Sequence, residues 1–351
     1  VSDVEYSWFS ALCDDDYEQL GVPRPELLSS FPHCRDIVLA AEAGGFDNVL
    51  LPSGYTLGID AVAFAAAVAP LTSRIRLLVA VRCGETWPPQ LARQLATLNE
   101  VLAGRLTINV ISSEMPGETL GGAERYARTA ETMVALRTLM SGESLHLRGE
   151  HYSLDVEPPR ILSGPRTPPP LYFGGLSEEA RAVAARHADV YLMWPETRDG
   201  VASIVGDMTR RAAEHGRTLR FGYRVHVVVR DTEDEARAAA RHLVAAVDAA
   251  TGDAIRARSL DSNSVGVRRQ AELRESAADD GFVEPHLWTG IGAARSGCGA
   301  ALVGTPAQVA DKLRDYVSLG IDSFILSGYP HLEECRRFAT SVLPLLRDQA
   351  D

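Results

Sequence analysis

A closed (β/α)8 barrel, the TIM-barrel arrangement with insertions, is the fold class the sequence predicts, and three observations predict it. Runs of β-branched and aromatic residues alternate with amphipathic helical runs about eight times along the chain, the pattern of a parallel sheet. No G-x-G-x-x-G follows the first strand, which disfavours the open dinucleotide-binding sheet. A length of 351 residues suits one such barrel with insertions, although length alone would suggest about two domains. No internal repeat and no long linker divides the chain, so residues 1–351 are expected to form a single domain.

The elements follow in order. Val4–Ser10 reads as the first strand, and helix Pro32–Ala43 stops at Gly44-Gly45. Asn48–Leu51 is the second strand, followed by the apolar helix Ile59–Ala69. Ile75–Val81 is the third, and helix Pro88–Leu102 opens on its prolines. Arg105–Ile111 is the fourth, and helix Tyr126–Met140 comes after a Gly-rich excursion. LHLRGEHYSL reads as a small hairpin outside the barrel, and Pro158–Pro170 as an irregular run leading into LYFGG. Helix Ser177–Arg186, strand Asp189–Met193 and helix Arg198–His215 follow. After strand Leu219–Arg230, Thr232 and Glu235 form a capping box for helix Glu233–Ala249. Gly252–Val283 is polar, charged and rich in Ser and Asp, and reads as a mobile segment. Ala300–Val303 is short and strand-like, and Thr305-Pro306 caps a helix whose apolar face carries Val309, Leu313 and Tyr316. Strand Ser323–Leu326 and helix Leu332–Leu346 close the chain.

Composition excludes several classes of function. Hydrophobic residues make up 46% and charged residues 23%, ordinary for a globular chain with a full core. A formal net charge of −12 argues against a nucleic-acid partner, because phosphate would be repelled at long range. No apolar run approaches the roughly 20 residues that span a bilayer, and no signal-peptide pattern opens the chain. Cys13, Cys34, Cys83, Cys298 and Cys335 are odd in number and scattered, which suits free thiols in a reducing cytoplasm. The His residues form neither HExxH nor a Cys/His cluster, so no metal is expected.

The chemistry centres on LRFGYRVHVVVR. Side chains two apart share a strand face, so Arg224 and His226 project together while Phe221, Tyr223, Val225, Val227 and Val229 fill the other side. An edge strand with both polar groups in water is the usual reading of a lone R-x-H. Here the apolar flanks need burial, which favours an anion clamp beside a proton donor or acceptor. Tyr329 and His331, spaced alike after the last strand, are expected on a facing wall of the same site. Barrel sites lie at the carboxyl ends of the strands. Those ends carry Trp8, Asn109, Gly174–Ser177, Trp194 and their neighbours, with no nucleophile and base among them and no paired carboxylates. The turn before Ser177 can bind phosphate through helix N-terminal amides, or it is an ordinary Ser-capped turn; the two readings weigh about equally. Glu178 and Glu179 would have to point away from a bound phosphate. Arg295, on the glycine-rich loop GIGAARSGCGAALVG, is either an anion-binding group or a surface cation. Asp14–Asp16 reads most simply as a solvated loop, with hydroxyl binding as the alternative.

SWF, LPSG, ARQLATL, GRLTINVISS, ERYARTAE, PPLYFGGLSEEA, ADVYLMW, RFGYRVHVVVR, LWTGIG and LSGYPHLEE, in this order over nearly the whole chain, resemble the bacterial luciferase-like flavin monooxygenases. Within them the chain is most similar to the alkanesulfonate monooxygenases. The resemblance implies a luciferase-like barrel and FMN used as FMNH2, supplied by a separate NAD(P)H-dependent FMN reductase. It also implies O2-driven cleavage of an organosulfonate C–S bond to sulfite and an aldehyde, in a homodimer or homotetramer. Carried over by position, Arg224, His226, Tyr329 and His331 match catalytic positions, and Arg295 and Trp194 match positions beside substrate and flavin; Trp8, at a strand end, is expected to contact substrate with them. Asn109, Tyr126, Gly174, Gly175, Ser177 and Trp194 match cofactor positions, and the insertion at 252–283 matches the family's lid. The chain departs from the alkanesulfonate enzymes at Cys13, where they carry a His, and at Leu57, where they carry an active-site Cys. SWFSALCDDDYEQLG, AVRCGETWPPQ and ARSGCGAA are similar to the sulfoquinovose monooxygenase subgroup, which makes that sulfosugar the leading substrate expectation. Sulfone cleavage, Baeyer–Villiger oxidation and deazaflavin-dependent hydride transfer on the same barrel are the alternatives.

Overall fold

The computed structural model of the chain describes residues 4–55, 58–115, 117–160, 167–256, 264–295 and 297–347. Eight strands pair in parallel: β1 (Glu5–Phe9), β2 (Asn48–Leu51), β3 (Arg76–Arg82), β4 (Leu106–Ile111), β5 (Leu171–Phe173), β6 (Val190–Met193), β7 (Arg220–Val229) and β8 (Ser323–Ser327). The sheet closes because β8 returns beside β1, with Glu5 opposite Ser323. This is the expected (β/α)8 barrel.

Strand parity divides the side chains into two cores. Tyr6, Trp8, Val49, Leu51, Leu77 and Val79 point outward into the large core shared with the surrounding helices. Their alternates point into the barrel and form stacked layers. At the floor the Glu5 carboxylate accepts from Tyr172 Oη at 2.8 Å and Ser323 Oγ at 3.0 Å, and pairs with Arg76 at 2.8 Å. Above it Leu50, Leu78, Tyr172, Val190 and Ile325 form an apolar plug, with Phe9 and Leu192 partly covered against it. The barrel is therefore filled from below, and only its upper rim is open to a ligand.

The helices are α1 (Phe31–Ala43), α2 (Ala61–Val68), α3 (Pro88–Val101), α4 (Gly122–Met140), α5 (Glu178–His187), α6 (Arg198–Ala213), α7 (Glu233–Val244), α8 (Ala249–Arg256), α9 (Val265–Glu275), α10 (Pro306–Ser318), α11 (His331–Ser341) and α12 (Leu343–Arg347). Local chemistry starts many of them. Ser30, Asp60, Ser177, Thr197, Thr232, Ser264 and Thr305 each accept a bond from an amide three residues on. Several expected boundaries move, among them the end of α7, which stops at Val244 rather than Ala249. Helix α4 starts at Gly122, with Glu124 bonding back to the Gly121 amide at 2.9 Å. The expected last helix is two, because Val342 leaves the helical line between α11 and α12. LHLRGEHYSL forms its hairpin, Leu145–Arg148 against Ser153–Val156. Part of the irregular Pro158–Pro170 run lies outside the described residues.

Strand β7 is ten residues long and outgrows its neighbour. Strand β6 pairs with Arg220–Tyr223, and above it the short strand Ala301–Gly304 takes over that edge against His226–Val229. The strand expected at Ala300–Val303 is thus no barrel stave. It continues the sheet above the rim, and Leu287–Trp288 and Phe282–Glu284 extend it antiparallel.

The segment expected to be a mobile lid, 252–283, is largely regular. It holds the end of α8, all of α9 and the first residues of the antiparallel extension, while 257–263 lie outside the described residues. Its polar composition hid two helices because each buries few groups, Gly252 and Ile255 in α8, and Gln270 and Leu273 in α9. Among the described residues no helix is long and apolar enough to cross a membrane.

Candidate active site

A cavity of about 750 Å³ opens at the carboxyl ends of the strands. Its walls include Arg224, His226, Tyr329, His331, Arg295, Trp194, Asn109, Tyr126, Gly174, Gly175 and Ser177. These are the sequence-predicted site residues with a single exception. Trp8 is fully buried on the other side of β1, packed on Phe46 and Phe338, with its indole N–H donating to the His331 carbonyl at 3.1 Å. Its neighbour Phe9 has the inward parity and lines the cavity instead.

The two expected walls meet. The His226 ring stacks on Tyr329 with centroids 5.2 Å apart, and Tyr329 meets His331 edge-on at 4.8 Å. Arg295 donates from Nε to the Tyr329 oxygen at 2.9 Å and pairs with Asp14. The Asp14–Asp16 run is therefore not a solvated loop. Asp14 and Asp16 are buried, one against Arg295 and the other against His331. No local pattern in DDDY reveals this, since both partners lie about three hundred positions away.

Among the described residues five arginines line the cavity. Arg82 pairs with Glu85, Arg125 with Glu114, Arg269 with Glu196 and Arg295 with Asp14. Among the described residues only Arg224 has no carboxylate within ion-pair distance. It is buried, lies over the Phe9 ring at 4.5 Å, and gives one nitrogen to the Val225 carbonyl at 3.0 Å. A buried, uncompensated guanidinium is costly unless something anionic reaches it.

The titrating groups beside it are tuned by burial. Burial first, then Arg224, pushes His226 well below the usual imidazole range, so it is neutral near pH 7; its Nδ1 lies 2.7 Å from Ser327 Oγ. Burial raises the Tyr329 phenol above its ordinary value despite Arg295, so it stays protonated. Burial opposes the Arg295 charge, but the Tyr329 oxygen and the Asp14 carboxylate outweigh it and hold the cation. Burial pushes the Cys13 thiol up to about 11 and raises Cys298 as well, so neither is a thiolate nucleophile near neutrality. Leu57, the other departure from the alkanesulfonate pattern, lies outside the described residues.

The end of the cavity beyond β5 has the donors a phosphate needs. Helix α5 points its N-terminus there, and Ser177 caps it by accepting from Ala180 N at 3.2 Å. Glu178 is turned away into a bidentate pair with Arg211 at 2.6 and 2.9 Å, whereas Glu179 lines the cavity. Gly175 has φ +153°, and a Cβ there would fill the space before Ala180 and Tyr126 Oη, at 2.6 and 3.6 Å. Arg125, which the sequence reading did not single out, adds a cation to this end. Trp194 stands between the loop and α9, with Gly297 and Gly266 against its ring. A glycine cradle, a helix N-terminus, an arginine and a phenol make a donor set that fits a flavin phosphate, with Asn109 and Trp194 left for the ring.

Comparison with known proteins agrees with this geometry. The family model described as luciferase-like monooxygenase matches residues 8–323. A protein named sulfoquinovose monooxygenase from Novosphingobium aromaticivorans is 60% identical over 347 residues, 97% of this chain and 96% of that one. One of the same name from Agrobacterium fabrum is 53% identical over 349 residues, 98% of this chain and 90% of that one. Among solved structures, a riboflavin lyase with modified FMN and riboflavin superposes with a TM-score of 0.80 at 19% identity, covering 99% of this chain and 92% of the other. With the family match spanning most of the barrel and relatives this similar over almost their full length, the chain belongs to the luciferase-like monooxygenase family.

Proposed function

We propose that this chain is the oxygenase of a two-component system that uses FMNH2 and O2 to cleave the C–S bond of sulfoquinovose, releasing sulfite and an aldehyde. The observation that carries the reading is Arg224, a buried cation in the cavity with no carboxylate partner among the described residues. A sulfonate stays anionic at any physiological pH and offers three acceptor oxygens, which suits a guanidinium that never deprotonates. Other polar groups that line the cavity, Asp14, Asp15 and Ser113 among them, suit hydroxyls better than an alkyl tail. The names of the relatives at 60% and 53% identity supply the sugar.

FMNH2, held by the phosphate end, would supply the electrons that reduce O2. This chain's residues would do the rest: Arg224 orients the anionic head, Tyr329 offers an O–H, and α9 shields the reacting atoms from water. The flavin would come from a separate NAD(P)H-dependent FMN reductase, and the enzyme would work as a homodimer or homotetramer. Purified protein with FMN, such a reductase, NADH and O2 should release sulfite from sulfoquinovose faster than from alkanesulfonates. Faster release from alkanesulfonates would refute the sugar assignment, and release from no sulfonate would refute the reading altogether.

Helix α9 is held over the cavity by Arg269, whose Nε and Nη2 meet Glu196 at 2.6 and 2.9 Å, and by Gln270, which donates to the Pro195 carbonyl at 2.7 Å. Excluding water protects reduced oxygen species from decay. Arg269→Ala should therefore raise the share of O2 consumed without sulfite release by a few fold. Unchanged coupling of O2 use to sulfite would show that α9 has no such shielding role.

A further inference from the structure

Asp16 sits in the loop after β1, fully buried, and belongs to neither the cavity lining nor the residues that the resemblance marks. Every bond its carboxylate makes is to an N–H. Oδ1 accepts from the Tyr17 amide at 2.9 Å and from His331 Nδ1 at 2.6 Å. Oδ2 accepts from the His331 amide at 2.8 Å and from His33 Nε2 at 3.0 Å. Burial alone would protonate Asp16, but the facing His331 and the bonds from both histidines hold it well below the usual carboxylate range. An ionised carboxylate can only accept, so His331 must carry its proton on Nδ1.

That leaves Nε2 of His331. The ring is buried and lines the cavity, and Nε2 has no hydrogen-bond partner. The residue is otherwise held at every polar point: its amide and Nδ1 by Asp16, its carbonyl by Trp8. A fixed ring with one bare, buried acceptor, on a residue that lines a cavity, loses free energy unless a partner completes it. The other histidine is built the opposite way. His226 has Arg224 beside it and would hold a proton poorly, whereas the ring of His331 lies against the Asp16 carboxylate.

We propose that Asp16 is a positioning residue that fixes His331 as the Nδ1–H tautomer, so that bare Nε2 accepts the proton of a hydroxyl held in the cavity. Which hydroxyl rests on the proposed function. Once O2 and the two flavin electrons have placed an oxygen on the carbon bearing the sulfonate, that carbon carries both a hydroxyl and the sulfonate. Transfer of the hydroxyl proton to Nε2 lets C–O become C=O, and the C–S electron pair leaves with sulfite. The proton stays on an imidazolium stabilised by Asp16, the arrangement by which a buried carboxylate supports a catalytic histidine elsewhere.

The first test needs no turnover. In the full chain labelled with 15N-histidine, without flavin or substrate, the His331 resonances (assigned by their loss in His331→Ala) should show a protonated Nδ1 and an unprotonated Nε2. Asp16→Asn should move the proton to Nε2 or mix the tautomers, because the amide can donate to Nδ1. A proton on Nε2 in the unaltered protein overturns the proposal, even if Asp16→Asn fails to fold. The second test is kinetic. Asp16→Asn should lower kcat for sulfite release by at least about thirtyfold, with KM and FMNH2 affinity within about threefold. Introduced into His331→Ala, the same change should alter kcat by less than about threefold. An equal loss in both backgrounds means that Asp16 serves structure alone and the proposal is wrong. A chain that releases sulfite from no sulfonate would sink the functional reading, while the tautomer measurement would still decide the role of Asp16.

Discussion

Arg224→Ala should lower kcat/KM for sulfite release at least about tenfold, the equivalent of roughly 1.4 kcal/mol, while FMNH2 affinity changes much less. The argument is electrostatic. Arg224 is buried, has no carboxylate partner among the described residues, and lines the same cavity as the phosphate end. Its charge is thus available to a second anion rather than spent within the protein. Removing a buried partner of a bound charge typically costs on the order of 2–5 kcal/mol. Arg224→Lys should recover only part, because an ammonium on a flexible stem cannot reproduce a planar fork over Phe9. Arg295→Ala should behave differently. It strips Asp14 of its cation and Tyr329 of its donor, so stability falls along with turnover. Wild-type kcat/KM in both alanine variants would show that neither guanidinium holds the sulfonate.

The contrast between Arg224 and Trp8 shows what was legible in the sequence. Alternating elements were enough for the barrel, because each strand and helix announces itself locally through its period. R-x-H on one strand and Y-x-H after another were readable for the same reason, since residues two apart must share a face. Which face is another matter. Strands of a barrel are buried on both sides, so apolar content does not mark the inward parity. Trp8 reads as a cavity residue because it lies at a strand's carboxyl end, yet Glu5, Ser7 and Phe9 are the residues of β1 that face inward, with the Glu5 carboxylate bound to Tyr172 and Ser323 inside the barrel. Asp14 and Asp16 failed for a different reason. A run of three acidic residues looks solvated until Arg295 and His331 are folded against it, 281 and 315 positions further along. Helix α9 was not legible in the composition of the lid segment, because it is held mostly by polar bonds to Glu196 and Pro195 rather than by an apolar stripe.

The same geometry predicts that Gly174→Ala is among the most damaging small changes in the chain. Gly174 ends β5 where the chain turns toward the phosphate end, and an ideal Cβ there would lie 1.8 Å from the Leu192 carbonyl oxygen and 2.9 Å from its carbon. Both atoms are backbone of β6, so no side-chain rotation relieves the overlap; the two strands must part at the rim. Overpacking a well-filled site costs about 1–3 kcal/mol when side chains can move, and a clash with backbone should exceed that range. Gly206→Ala is the internal control. It lies exposed inside α6 with nothing within 4 Å of its added Cβ. Replacing glycine in an open helical position removes unfolded-state freedom and should stabilise by about 0.5–1 kcal/mol. Urea or thermal denaturation without flavin separates the two: the midpoint should fall by several degrees for Gly174→Ala and rise slightly for Gly206→Ala. Since the strand end displaced by Gly174→Ala also carries Gly175 and leads to Ser177, FMNH2 affinity should drop with it. An unchanged midpoint for Gly174→Ala would mean that β5 and β6 do not approach this closely at the rim, and the cradle assigned to the phosphate would lose its geometric basis.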